Sequence, residues 1–280
     1  MNNPKIALVD GDILRYQLGA VLSKGGTITL QGKTIDVPLP NSAVESRVTE
    51  FIDELLTSTG TSHVKVYLSE GRNFRYSRAT MQPYKGNREG FVKPYHWSTV
   101  GDVLYKRYSP IVCEEFEADD FLSRDQDSIE GTTVICSRDK DLRIRAGWHY
   151  SWSAGTRCPE KSLYWINEIE GKRWFYTQLL IGDSTDNIIG CGIKSPTSTG
   201  KLRRKGVGPK KADELLASCA NEKEMFATVA EQYRAVFGDK WQDAMKENGT
   251  LLWMSDKLVP WEDLPEVKEL FDESQDSDWQ

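Results

Sequence analysis

Ten carboxylates stand where a fold could put them to use: Asp10, Asp12, Glu70, Glu117, Asp119, Asp120, Asp139, Asp141, Asp183 and Asp186. The densest stretch is Phe116-Glu117-Ala118-Asp119-Asp120, echoed after a short apolar run by Ser137-Arg138-Asp139-Lys140-Asp141. Carboxylates packed together in a partly buried site repel one another unless a cation lies between them or protons neutralise some of them. Hard oxygen donors without histidine or cysteine select magnesium or manganese over zinc. Two such ions about 4 Å apart activate a water and stabilise the leaving oxygen in phosphodiester cleavage.

The elements that must position these acids are short. Residues 5–9, 64–68, 110–113 and 132–136 read as strands, each delivering acids at or just past its C-terminal end. In open α/β sheets that edge is where ligands bind. Gly11 permits a tight turn between Asp10 and Asp12. Residues 27–30 and 34–37 flank Gln31-Gly32-Lys33 as a β-hairpin insertion. Val44, Val48, Phe51, Ile52, Leu55 and Leu56 follow a helical period behind Asn41 or Ser42. Helices are expected over 98–106, from 117 onward, and over 171–181, 213–219, 222–237 and 240–254, with edge strands at 148–152 and 162–165. For Glu117 to Asp120 a plain alternative stands beside the metal reading, because a helix N-terminus favours acids for its dipole alone.

The formal net charge of -6 conceals an uneven distribution. Arg72, Phe74, Arg75, Tyr76, Arg78, Tyr84, Lys85, Arg88, Phe91, Lys93, Tyr95 and Trp97 mix cations with aromatics, which suits phosphates and unpaired bases of single-stranded nucleic acid. Its place between βα units favours a lid over the site, the alternative being a solvated loop. A second basic region holds Arg203, Arg204, Lys205, Gly206, Gly208, Lys210 and Lys211. A Gly-x-Gly turn before a helix exposes N–H groups to a phosphate, although a simple helix connection has the same pattern. The segment 261–280 is an acidic tail, expected to be loosely held beyond Pro265 and able to compete for the basic surfaces or to aid solubility. Five scattered cysteines and three separated histidines give neither a disulfide framework nor a zinc site. With no long apolar run and no signal-peptide pattern, the expected location is the cytoplasm, or the host cytoplasm for a phage-encoded chain, without membrane attachment.

The ordered set Val9-Asp10-Gly11-Asp12, Tyr84-Lys85-Gly86-Asn87-Arg88, Glu117-Ala118-Asp119-Asp120, Asp139-Lys140-Asp141, Gly182-Asp183-Ser184-Thr185-Asp186-Asn187 and Gly206-Val207-Gly208 resembles the 5′-nuclease (flap endonuclease) superfamily, most closely the small phage 5′-to-3′ exonucleases. The resemblance covers roughly residues 5–260. It implies an α/β fold with a mixed, mostly parallel central sheet flanked by helices (a PIN-like 5′-nuclease core), a helical arch and a helix-hairpin-helix-type C-terminal DNA-binding region. The implied domains are a nuclease core over 1–190 with its arch or lid at 72–97, a DNA-binding region over 191–260 and the tail. By family pattern Asp10, Glu70, Glu117 and Asp119 hold one Mg2+ or Mn2+, and Asp120, Asp139, Asp141, Asp183 and Asp186 serve a second or its water shell. A potassium ion at the helix-hairpin-helix belongs to the same pattern. Catalysis falls to Lys85 and Arg88 with Asp10, Asp119, Asp141 and Asp183, Lys85 offsetting charge on the scissile phosphate. DNA contacts fall to Arg72, Arg75, Arg78, Tyr84, Lys85, Arg88, Lys93, Arg203, Arg204, Lys205, Gly206, Gly208, Lys210 and Lys211. The implied partners are duplex ends, nicks and 5′ flaps of DNA, with RNA–DNA hybrids as a further substrate, acted on by a monomer. Residues 191–205 are an insertion relative to many relatives, and Glu70 stands where relatives often carry aspartate.

Two other functions compete. In a haloacid-dehalogenase-type phosphatase, Asp10 and Asp12 after the first strand would be nucleophile and acid/base, with Ser69, Asp183 and Asp186 completing the site. That leaves Glu117 to Asp120, Asp139 to Asp141 and the basic stretch without a task. A non-catalytic structure-specific DNA-binding protein would need none of the acids.

Overall fold

The computed structural model describes residues 3–22, 24–88, 90–196 and 202–274, with the side chains of 194–196 and 202–205 left aside. In chain order the elements are β1 (Ile6–Asp10), α1 (Gly11–Leu22), β2 (Gly26–Leu30), β3 (Lys33–Val37), α2 (Asn41–Thr59), β4 (His63–Ser69), the single-turn α3 (Arg75–Arg78), α4 (Trp97–Tyr108), β5 (Ile111–Cys113), α5 (Ala118–Asp125), β6 (Thr133–Cys136), β7 (Gly147–Ser151), β8 (Lys161–Ile166), α6 (Glu168–Ile181), β9 (Gly192–Pro196), β10 (Leu202–Gly206), α7 (Pro209–Leu216), α8 (Glu222–Phe237), α9 (Trp241–Leu252) and α10 (Pro265–Glu273). They fall into two units, one of residues 1–71, 90–142 and 146–166, the other of 72–89, 143–145 and 167–280.

The first unit is built on a six-stranded sheet in the order β5-β4-β1-β6-β7-β8. The five strands from β5 to β7 are parallel and β8 runs antiparallel at one edge. Parallel strands covered on both faces are apolar nearly throughout, as in the Ala7-Leu8-Val9 and Val134-Ile135-Cys136 runs. Their alternation sorts the core: Ala7, Val9, Val66, Leu68 and Val134 pack with the helices α1, α2 and α4. Leu8, Tyr67 and Ile135 pack on the other face with Ala118 and Leu122 of α5. Chain order carries β4 and β5 to one side of β1 and β6 and β7 to the other, so the topological switch lies at the C-terminal end of β1.

The second unit is helical, apart from the two-stranded antiparallel β9–β10 hairpin. Its core gathers Phe175, Tyr176, Leu179 and Leu180 of α6 with Phe226 and Tyr233 of α8, Met245 of α9, Trp261 and Phe271. The packing therefore does not follow a boundary at residue 190: α6 is buried with the helices that come after it. The tail also differs from expectation, because Val267 and Phe271 of α10 are buried in this core. Residues 275–280 lie outside the described residues.

The stretch 72–97 is only sparsely helical. Beyond α3 it has one 3-10 turn, Gly86–Arg88, and it is divided between the two units after residue 89. Pro83 and Pro94 break helical pattern, and Lys85 takes a positive φ of 54°. Among the described residues no helix is long and apolar enough to cross a membrane.

At Gly11 the start of α1 lies close against β4. A Cβ there would lie 2.6 Å from the Tyr67 carbonyl oxygen and 2.7 Å from a Leu68 methyl. Gly11→Ala is expected to cost about 1–3 kcal/mol through overpacking. The measurement is urea unfolding, with a lower midpoint at unchanged slope; an unchanged midpoint would show that the strand gives way freely.

Candidate metal centre

At the switch point Asp10 ends β1 and is 2% exposed. Its carboxylate accepts the Ile13 N–H at 3.0 Å, which starts α1, and the Ser137 hydroxyl at 2.7 Å. Asp12, one residue into α1, accepts the Ser69 N–H at 3.0 Å from the end of β4. Ser69 in turn accepts from the Ala118 N–H at 2.8 Å, and Ser137 accepts from the Asp139 N–H at 2.9 Å. Two strand-end serines thus link three acidic segments of the sheet edge. Sequence reading overlooked them in the metal setting; the available signal was a hydroxyl residue at a strand end beside an acid.

The electrostatics follow from that crowding. Burial, together with the charges of Asp12 and Asp139, pushes the Asp10 carboxyl up to about 7. Burial also raises Asp12, opposed by the Ser69 hydrogen bonds and the Arg15 charge. Cys113 at the end of β5 is pushed up to about 12, by burial first and then by Asp12. It is held as a thiol and is no thiolate ligand.

The other first-unit acids vary in setting. Glu117 and Asp120 form a capping box at the start of α5, and the buried Asp120 accepts the Glu117 N–H at 3.0 Å. The structural reading of these acids is therefore realised in the fold. Asp119 is half-buried and Glu70 is exposed at the end of β4. Asp139 accepts the Asp141 N–H at 2.8 Å, and the buried Asp141 pairs with Lys140 at 2.6 Å. Among the described residues, no three histidine, cysteine, aspartate or glutamate side chains stand in ready-made metal-holding geometry. The donor set fits a hard divalent ion: oxygens only, crowded, and with Asp10 pushed toward its protonated form by burial first and then by the charges of Asp12 and Asp139, which such an ion would offset.

The second unit holds Asp183 and Asp186 in the turn after α6. Asp183 is buried, bridges to Ile188 through both backbone bonds and accepts the Thr185 N–H at 2.6 Å. Asp186 accepts from Arg88 at 2.5 Å and from the Tyr84 hydroxyl at 3.0 Å, with Lys85 Nζ at 3.9 Å. The Lys85 N–H donates to the Asp186 carbonyl and Asn87 to the Ser184 carbonyl. The loop carrying Lys85 and Arg88 is thereby fastened to the acidic turn within one unit, where sequence reading expected a lid.

The residues expected to contact DNA lie in differing settings. Arg75 is fully buried and donates to the carbonyls of Leu251 at 3.1 Å and Trp253 at 2.6 Å, so its guanidinium ties α3 to the end of α9. Tyr84 is 3% exposed, edge-on to Tyr76, and is closed to base stacking. Arg78 pairs with Glu262 at 3.1 Å, and Arg72 lies over the Tyr76 ring. Lys93 is exposed, and Lys210 and Lys211 are exposed on α7, which Gly208 caps. Gly206 ends β10, where a Cβ would meet the Cys191 carbonyl at 2.3 Å. The side chains of Arg203, Arg204 and Lys205 are outside the described set, their backbone lying in β10.

Among solved structures the chain is similar to a bacteriophage T5 flap endonuclease in a pseudo-enzyme–product complex with DNA and metal ions, at 14% identity over 89% of this chain and 99% of that one, with a TM-score of 0.53. It is similar to the T5 protein co-crystallised with metal ions at 17% identity, 96% and 91% coverage and TM-score 0.54. It is also similar to the T5 5′-exonuclease with bound zinc, at 16% identity, 89% and 100% coverage and TM-score 0.53. The likeness establishes the fold, a mostly parallel six-stranded sheet with a helical C-terminal region as in those structures. No family model and no curated protein matches the chain.

Two measurements probe these assignments. Asp10 is pushed in the fold from its ordinary 3.8 up to about 7, so the folded state holds the extra proton between those values. Stability in EDTA should therefore fall as pH rises from about 4 through about 7. Asp10→Asn should flatten that dependence in thermal melts; an unchanged slope would show that Asp10 is not the titrating group. Arg75→Met should cost about 2–4 kcal/mol by stranding two buried carbonyls, read as a lower melting temperature, while nucleic-acid affinity of the folded protein at low temperature stays at the wild-type value.

Proposed function

We propose that this chain is a divalent-metal-dependent 5′ nuclease, acting as a 5′-to-3′ exonuclease or flap endonuclease on double-stranded, nicked or flapped DNA, with RNA primers as a further substrate. The observation that carries the reading is the buried Asp10 carboxylate crowded by Asp12 and Asp139 at the switch point of a sheet whose fold is shared with the phage T5 nucleases. That arrangement favours a divalent cation over a free acid. A phosphatase nucleophile would need an open carboxylate, whereas Asp10 is held by Ile13 and Ser137.

Mg2+ or Mn2+ bound there, as two ions, would supply Lewis-acid activation of water and neutralise charge at the phosphodiester. Asp10, Asp12, Glu117, Asp119 and Asp139 are the first-unit candidates to hold metal, with Glu70, Asp120 and Asp141 as candidates for its water shell. Asp183 and Asp186, in the second unit, are metal candidates by sequence pattern alone. Lys85 and Arg88 would meet developing phosphate charge, and Asp186 would position both until substrate competes for them. Lys210, Lys211 and the β10 cations would hold duplex phosphates beside Gly208, a region whose pattern also suits potassium. The T5 relatives were solved with DNA and with metal ions, and the same ligands are proposed here. A role in phage DNA replication or degradation, carried out as a monomer in the host cytoplasm, is part of the proposal.

The test uses 5′-labelled duplex, nicked and flapped DNA with magnesium or EDTA. Short 5′ products are expected only with metal. Asp141→Asn and Asp183→Asn should lower the single-turnover rate by at least about 100-fold while affinity in EDTA is kept. Lys85→Ala should lower the rate at saturating DNA. Metal-independent binding without products would instead support the non-catalytic DNA-binding module.

A further inference from the structure

A cavity of about 470 Å³ lies in the first unit between α1, α2 and the loop after β7, and none of the candidate metal ligands lines it. Ligand sites fall in the range of about 300–1,000 Å³. Leu18, Phe51, Leu55, Tyr150 and Trp152 give it an apolar floor, with Phe51 edge-on to Trp152 at 5.4 Å. Val21, 61% exposed, stands at the mouth.

The walls are fixed by hydrogen bonds. The Trp152 indole N–H donates to Gln17 Oε1 at 2.5 Å, and Gln17 Nε2 donates to the Ser153 carbonyl at 3.2 Å. Arg138 braces the loop from outside, donating to the Trp152 carbonyl at 2.7 Å and the Pro159 carbonyl at 3.0 Å. The loop also closes on itself, the Ala154 N–H donating to the Cys158 carbonyl at 2.8 Å. Such a wall keeps its shape without an occupant.

The rim is acidic. Glu54 of α2 and Glu160 before β8 are exposed, and the Tyr150 hydroxyl is hydrogen-bonded to Ser58 and Glu160. Among the described residues neither acid makes an ion pair, whereas Arg47, the cation among the lining residues, is paired with Glu50 at 3.1 Å. A nucleic-acid phosphate is repelled by such a rim. An apolar group with a cation beside it gains twice, once from the floor and once from the carboxylates. The mouth is open along Val21 and Ser153 to Gly155, all exposed, so an occupant is covered on one side only. A chain that runs on beyond the cavity covers the other side, which favours a protein segment over a free small molecule.

We propose that this cavity is a docking site for a partner protein, seating one large apolar side chain that has a lysine or arginine next to it in the partner. The site is independent of the nuclease reading, and either can fail alone.

The test is fluorescence anisotropy of labelled Gly/Ser peptides carrying Lys-Phe-Arg, Lys-Ser-Arg or Glu-Phe-Glu, titrated with the full chain. The Lys-Phe-Arg peptide is expected to bind about 10-fold tighter than either of the others. Glu54→Lys and Val21→Ser, both at exposed positions that leave the core intact, should each weaken it about 10-fold. Equal binding of Lys-Ser-Arg would show charge attraction without a seated side chain and overturn the proposal. So would an unchanged affinity in Glu54→Lys, or no measurable binding by the wild-type chain. Phenethylamine binding as tightly as the peptide would mean a small-molecule cavity, and a wild-type dimer lost in Glu54→Lys would put a second copy there; either overturns it.

Discussion

Desolvated negative charge at the end of β1 is the constraint on which the first unit depends. A carboxylate that leaves water must be given hydrogen bonds, a proton or a cation. Asp10 takes its bonds from the first turn of α1 and from Ser137, so one side chain joins the end of the strand, the start of a helix and the loop after β6. Asp12 does the same toward β4 through the Ser69 backbone. The close approach of Gly11 to Tyr67 follows, because Asp12 reaches the Ser69 N–H only if the α1 start lies against β4. Hydrogen bonds answer the constraint only in part, since Asp10 is still pushed up to about 7. What is left is a site whose ionised form is stabilised by added cations.

The second unit meets the same problem with its own cations. Asp186 is bonded to Arg88 and Tyr84, and the loop from Pro83 to Arg88 is further joined to the turn through Asn87 and Asn187. A hydrogen-bonded pair of this kind fixes where Arg88 is found in the absence of anions. It also lets a phosphate compete with a carboxylate for the same guanidinium, whose fork geometry accepts either. Asp186 and the basic loop are therefore coupled, and a change in one alters the charge presented by the other.

The strands of the sheet, the β2–β3 hairpin and the helices α2, α4, α6, α8 and α9 were legible in the sequence because apolar period decides them, whereas α1 and the β9–β10 hairpin were not read. The acids at strand ends were legible because turn position and charge are written locally. What escaped was decided by tertiary packing. Arg75 and Tyr84 sit in a stretch whose composition suggests nucleic acid, yet both are buried and bonded within the second unit. Nothing local distinguishes Arg75 from the exposed Lys93; the difference is that the Leu251 and Trp253 carbonyls, far along the chain, await a donor. The unit boundary escaped for the same reason. Helix α6 carries apolar residues that are buried all round, and only the later helices reveal what covers them.

The acidic tail shows why net charge was a poor guide. Glu262 pairs with Arg78, Glu266 with Lys257 and Glu273 with Lys223, all within the second unit. Those acids neutralise structural cations along α8 and near α10, and three of them therefore repel an approaching polyanion less than their count suggests. Such surface pairs contribute little stability each, about 0–1 kcal/mol, but they sort the cations of the chain. Arg75 is bonded to carbonyls, Arg78 and Lys257 to tail acids, and Arg88 to Asp186. Arg15 and Lys93 lie against the Trp97 indole, and Asp12 and Asp102 attract Arg15 as well. A protein of net charge -6 can bind nucleic acid when the cations its own acids leave unneutralised are grouped on one surface.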